Sequence, residues 1–239
     1  MGSDLRARDG AAAGPKAWLA WSSGKDSAWA LHTVREAGSF DVVALLTTVN
    51  RTHGRVAMHA VRESLLEIQA AAAGLPLVKV PIPSPSSNEI YERAMSEAMA
   101  RASDEGVRHV IFGDLFLQDV RAYRESQLAR CAITPVFPLW EKETRALAEE
   151  MIAGGLRGFL TCVDPRKMER GFAGRRFDAE LLADLPAGVD PCGENGEFHT
   201  FACAGPMFSA DVPVAVGEIV ERDGFVFADL LPRGAAARE

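Results

Sequence analysis

No stretch of the 239-residue chain approaches the roughly 20 consecutive apolar residues that a membrane-spanning helix requires. The N-terminus, MGSDLRARDGAAAGPK, lacks the apolar core of a signal peptide. Residues 1–15 therefore read as a loose leader, residues 233–239 as a tail, and the cytoplasm as the expected compartment. Cysteine is scarce, and Cys131, Cys162, Cys192 and Cys203 form no CxxC pair. That argues against a zinc ribbon and against a thioredoxin-type redox site, and leaves four reduced thiols in or near the core. Basic residues are outnumbered, 26 Lys and Arg against 33 Asp and Glu, for a net charge of -7. Such a surface repels nucleic-acid phosphates, so nucleic acid is not the expected partner. What remains is an ordinary globular composition, 48% hydrophobic and 25% charged, long enough for one large domain or two small ones.

Apolar runs alternate with helical periodicity. Ala17 to Trp21 reads as a strand, Ala28 to Ala37 as a helix, and Val42 to Thr48 as a strand. Ala57 to Ala73 reads as a helix, Leu77 to Ile82 as a strand, and Glu89 to Glu105 as a helix capped by Asn88. Val107 to Phe112 is a strand, Arg121 to Cys131 a helix, and Thr134 to Phe137 a short strand. This alternation predicts an α/β fold with a doubly wound parallel sheet over residues 16–140. Past Pro138 the pattern changes. A helix, Glu143 to Ala153, precedes strands at Phe159 to Val163, Glu197 to Cys203, Val212 to Val220 and Phe225 to Leu230. Arg222-Asp223-Gly224 stands where a hairpin turn is expected. Residues 141–232 thus read as a smaller α+β substrate-binding domain.

Between the first strand and the first helix lies Ser22-Ser23-Gly24-Lys25-Asp26-Ser27. A small-residue turn opening a helix is an anion site, because the first helical N–H groups are unpaired and the helix dipole is positive there. Gly24 admits close approach, Ser22, Ser23 and Ser27 offer hydroxyls, and Lys25 offers a charge. The turn is not a Walker A loop, since Leu19 stands at the upstream glycine position and Asp26 follows Lys25. Three other clusters carry chemistry. Gly113-Asp114 follows the fourth strand, where Asp114 could hold magnesium or orient a nucleophile and Arg121 and Arg124 could neutralise phosphate. His59, in "RVAMHAVR", could contact nucleotide or substrate. In "DPCGENGEFHTF", Glu194 and Glu197 lie three residues apart in a glycine-rich loop with Asn195 and Gly196, followed by His199 and Thr200. Such a carboxylate pair can bind a cation, accept a proton or hold an ammonium.

The phosphate turn resembles the SGGxDS signature of the PP-loop ATP pyrophosphatases, with Ser23 where many members have glycine. Taken with the "GD" after the fourth strand, "PLW" at Pro138 to Trp140, and "CGENGEFHTF" followed by "GPMF", the chain is similar to the diphthine–ammonia ligase branch of that superfamily. The resemblance runs from about Lys16 to Leu231. The Gly-Glu-x-Gly-Glu-aromatic-x-Thr pattern falls on Gly193, Glu194, Gly196, Glu197, Phe198 and Thr200. Val120-Arg121 follows Asp119 where members commonly carry Tyr-Gln, and Glu125 is displaced by one position.

The resemblance implies a HUP-like fold and a reaction in which ATP adenylates the carboxylate of diphthine on elongation factor 2. Ammonia then displaces AMP, and pyrophosphate is the other product. It implies ATP and Mg2+ as cofactors, with Ser22, Ser23, Gly24, Lys25, Asp26 and Ser27 on the phosphates. Thr47 and Thr48 lie near the adenine, Gly113 in the nucleotide site, and Asp26 and Asp114 on the metal. Lys25, Asp26, Asp114, Glu194 and Glu197 are the implied catalytic set. His59, Arg121, Arg124, Asn195, Gly196, His199 and Thr200 would face substrate. No glutaminase domain is visible, so ammonia would be free or delivered by a partner, and a homo-oligomer is compatible with the sequence. A PP-loop enzyme acting on another substrate, and an ATP- or AMP-binding sensor without turnover, are the competing readings.

Overall fold

The computed structural model describes residues 14–50, 55–56, 61–83 and 86–233. The first half runs β1 (Lys16–Ala20), α1 (Lys25–Ala37), β2 (Asp41–Asn50), β3 (Arg55–Val56), α2 (Glu63–Ala73), β4 (Leu77–Ile82), α3 (Asn88–Asp104), β5 (His109–Ile111), α4 (Gln118–Ala129) and β6 (Thr134–Val136). Strands β4, β2, β1, β5 and β6 lie side by side in that order, all parallel, and β3 adds an antiparallel pair at the end of β2. The chain winds outward from β1 to β2 and β4, then crosses back to β5 and β6. The order therefore reverses at β1, and the carboxyl ends of β1 and β5 frame the crevice where such sheets bind ligands.

Alternation along β1 explains the two layers around this sheet. Ala17 and Leu19 point into a core shared with Leu31 of α1 and Leu65 of α2, whereas Trp18 packs with Met99 of α3 and Leu128 of α4. Both faces are covered, as a parallel sheet requires.

The second half runs α5 (Thr144–Ala153), β7 (Arg157–Val163), α6 (Ala179–Asp184), β8 (Phe198–Ala204), β9 (Val214–Arg222) and β10 (Phe225–Pro232). Its strands form an antiparallel sheet in the order β8-β7-β10-β9. Asp223 and Gly224 both have positive φ, 53° and 77°, the requirement of the two-residue turn that matches strand twist. The two sheets share one hydrophobic core, in which Leu31 and Leu65 belong to the same cluster as Leu147 of α5, Leu160 of β7, Phe201 of β8 and Val226 of β10. Arg35 reinforces the junction by donating to the carbonyls of Ala73 and Met207.

Element boundaries differ from the sequence reading in instructive ways. Helix α1 begins at Lys25, because the last three residues of the small-residue turn, Lys25 to Ser27, already belong to its first turn. Helix α3 is capped by Ser87, whose hydroxyl accepts from the Ile90 N–H at 3.4 Å, and Asn88 is its first helical residue. Glu143 caps α5, its carboxylate accepting from the N–H groups of Arg145 and Ala146. Helix α2 starts at Glu63. His59, the leader up to residue 13 and the tail beyond residue 233 lie outside the described residues. Among the described residues no helix is long and apolar enough to cross a membrane.

Candidate active site

The turn after β1 is stabilised largely by its own atoms. Ser27 Oγ donates to the Gly24 carbonyl at 3.1 Å, which leaves Ser22 to donate to Ser27 Oγ at 3.1 Å. Ser22 Oγ in turn accepts from the Gly24 N–H at 3.2 Å. Gly24 occupies the N-cap of α1 but has no side chain to cap it. The acceptor comes instead from the other sheet, as Lys25 N–H donates to Thr200 Oγ1 at 3.0 Å. That replaces a local N-cap with one supplied by β8.

Lys25 does not project freely into the crevice. Its side chain is buried, with Nζ 2.9 and 2.8 Å from the two Asp26 carboxylate oxygens, and it also donates to the Cys192 carbonyl. The rings of Phe177 and Phe198 flank it, with centroids 5.6 and 5.5 Å from Nζ. Burial disfavours its charge, but the attraction of Asp26 and, further off, Glu194 outweighs that, so its pKa is raised. Burial pushes the Asp26 carboxyl up despite the neighbouring ammonium.

Gly113 brings the loop after β5 onto this turn. A Cβ there would sit 2.7 Å from the Asp26 carbonyl carbon and 2.9 Å from the Ser27 nitrogen, so only glycine permits the approach. Asp114 beside it is held by Arg124, with Nη2 2.9 Å from Oδ1 as a hydrogen bond and Nε 2.8 Å from Oδ2 as an ion contact without hydrogen-bond alignment. The Arg124 guanidinium lies 4.3 Å from the Phe112 ring centroid. The next N–H, that of Leu115, donates to Glu194 Oε1 at 2.8 Å. Glu194 thus fastens the Cys192–Thr200 segment to the β5 loop. Burial, reinforced by the negative charges of Asp26 and Asp114, pushes its pKa up to about 7 against the Leu115 N–H and Lys25. His199 is held neutral, its pKa pulled down to about 4 by burial and by Lys25.

These groups enclose a cleft of about 510 Å³ at the carboxyl ends of β1, β2 and β5. Of the residues singled out from sequence, Ser22, Gly24, Lys25, Asp26, Ser27, Thr47, Thr48, Gly113, Asp114, Arg124, Glu194, Gly196, His199 and Thr200 line it. The Thr47 hydroxyl, at the end of β2, is buried and has no hydrogen-bond partner. Buried polar groups are normally satisfied, so this hydroxyl suits a polar ligand atom in the cleft.

Four residues are not among those lining it. Ser23 is fully buried under the turn. Arg121 pairs with Glu125 at 2.8 Å and stacks over Phe137 and Trp140, 5.0 and 4.6 Å from their centroids. Asn195 is exposed and donates to Glu197 Oε1 at 3.2 Å. Glu197 is buried and also accepts from the Asp190 N–H at 3.3 Å, so it braces the loop from within. The sequence reading passed over Gln69 of α2, which joins the turn to β8. Its signal was a polar residue four positions after Leu65, on the buried face of α2.

A doubly wound parallel sheet with a serine- and glycine-lined turn at its switch point, roofed by a carboxylate-bearing segment, defines a nucleotide-binding protein of the PP-loop type. Its particular lineage is the diphthamide synthase family, to which the chain belongs: residues 15–132 match the diphthamide synthase N-terminal domain and residues 143–228 the C-terminal domain. The chain is similar to the diphthine–ammonia ligase of Danio rerio, at 26% identity over 235 residues covering 87% of this chain and 89% of the relative. It is also similar to those of Rattus norvegicus and Homo sapiens, each at 25% identity over 68% of this chain and 67% of the relative.

Proposed function

We propose that the chain is an ATP-dependent ligase that adenylates a carboxylate, with release of pyrophosphate, and then amidates it with ammonia, with release of AMP. The observation that carries this reading is the fastening of the Cys192–Thr200 segment onto the phosphate turn. Thr200 caps α1 and Glu194 grips the β5 loop, so one segment closes the cleft that the turn opens. The relatives are named for diphthine and ammonia, and we extend that pair to this chain, with diphthine on elongation factor 2 as the acceptor and the cytoplasm as the place of reaction.

In this reading the phosphates of ATP lie against the first turn of α1, with the base toward Thr47 and Thr48. Asp26 and Asp114 would hold Mg2+. Each carboxylate is already paired with a cation, Lys25 or Arg124, and among the described residues no group of three or more His, Cys, Asp or Glu is arranged to hold a metal. Two carboxylates without a complete cage suit an ion whose other ligands are phosphate oxygens and water. When bound, Mg2+ neutralises phosphate charge. Glu194 faces the ammonia. As the C–N bond forms and the C–O bond to AMP breaks, the electron pair leaves with AMP and the proton passes to the Glu194 carboxylate. Phe112, Leu117 and Phe198 supply the apolar part of the cleft wall, against which the activated acyl group would be kept from water.

The test is direct. Incubation with ATP, Mg2+, ammonium and elongation factor 2 bearing diphthine is expected to yield AMP and pyrophosphate together with the amidated factor. Formation of ADP and phosphate would overturn the assignment.

A further inference from the structure

Gln69 has no exposed surface, and every polar atom of its side chain is used. Oε1 accepts from Trp21 Nε1 at 2.7 Å, and Nε2 donates to the carbonyls of Ser23 at 3.0 Å and Ala202 at 2.6 Å. One amide therefore joins the end of β1, the phosphate turn and β8. Ser23 is the residue of interest among these. Its φ is 70°, in the left-handed region that a side chain with a Cβ disfavours. Its own hydroxyl is buried without a hydrogen-bond partner and so contributes nothing to holding that conformation. What holds it is the carbonyl, which accepts from both Gln69 Nε2 and the Ala202 N–H, the latter at 2.9 Å.

We propose that Gln69 is a positioning residue for ATP, acting through Ser23. By gripping the Ser23 carbonyl it keeps the left-handed kink that carries the chain from β1 into the N-cap and first turn of α1, where Gly24, Asp26 and Ser27 line the cleft. Serine at this position needs such a grip, whereas glycine adopts the same backbone without it. The inference rests on the reading of this cleft as an ATP site.

The experiment is a double-mutant cycle on ATP affinity, measured by calorimetry with Mg2+ and requiring no turnover. Gln69→Met, close in volume but unable to hydrogen-bond, is expected to weaken ATP binding by about tenfold. Made on top of Ser23→Gly, the same change is expected to cost less than about threefold, because glycine relieves the need for the grip. An equal loss in both backgrounds, or no loss in either, overturns the proposal and leaves Gln69 a packing residue. Circular dichroism and thermal melting establish that each variant is folded. If Gln69→Met does not fold, Gln69→Leu, which has no donor and cannot gain one by protonation, runs the same cycle. A wild-type protein that binds no ATP overturns the proposed function and this inference with it, whereas a wild type that binds ATP and is indifferent to Gln69 overturns the inference alone.

Discussion

Lys25 N–H donates to Thr200 Oγ1 at 3.0 Å, so the helix that opens from the serine-rich turn is capped by a residue 175 positions away. Thr200→Val keeps the shape and removes the acceptor. The Lys25 N–H is then buried and unpaired, a loss of about 1–3 kcal/mol. Chemical denaturation is expected to show that loss, and ATP binding is expected to weaken with it. A variant as stable as the wild type would mean that Thr200 does not cap α1 in solution.

Gly113→Ala tests the contact between the β5 loop and α1. The added methyl would stand 2.7–2.9 Å from Asp26 and Ser27 backbone atoms, which cannot rotate away as a flexible side chain could. Overpacking of this kind costs about 1–3 kcal/mol. The melting temperature should fall, and the affinity for ATP should fall further than that of an alanine substitution at Gly171, where a Cβ meets nothing within 4 Å.

Glu194 gives a pH signature. Its folded pKa, about 7, lies above its ordinary value of 4.5. A raised acid contributes stability that is fully present below about pH 4.5 and is lost as pH rises through 7. Glu194→Gln cannot ionise and keeps an oxygen for the Leu115 N–H. Relative to the wild type, it is therefore expected to be more stable at pH 8 than at pH 5, as read by urea denaturation at both values. In the amidation assay the wild-type rate should rise with pH through about 7 as the carboxylate ionises, and the Gln variant should lose most of its rate.

The sequence made the local features legible. The strand, small-residue turn and helix around Ser22 to Ser27 were readable, and so was the Asp223-Gly224 hairpin, because each is decided by neighbours along the chain. The burial of Lys25 was not legible. It depends on Phe177, Cys192 and Phe198, which come from a different part of the chain. Glu194 and Glu197 looked equivalent in a glycine-rich loop, yet one reaches the β5 loop and lines the cleft while the other turns inward to Asp190 and Asn195. Spacing alone does not decide which way a loop side chain faces. Arg121 read as a phosphate partner, but two aromatic rings and Glu125 engage it.

The apolar core that runs without a break from α1 to β10 has a thermodynamic consequence. Neither half can lose its packing without stripping the other, since Leu31 and Val226 belong to one cluster. Heating should give a single calorimetric transition, with equal van't Hoff and calorimetric enthalpies. Nucleotide held at the turn would shift that transition as a whole. A cavity made in β10, on a strand that contributes no residue to the cleft lining, should therefore reduce the fraction of molecules able to bind ATP at elevated temperature.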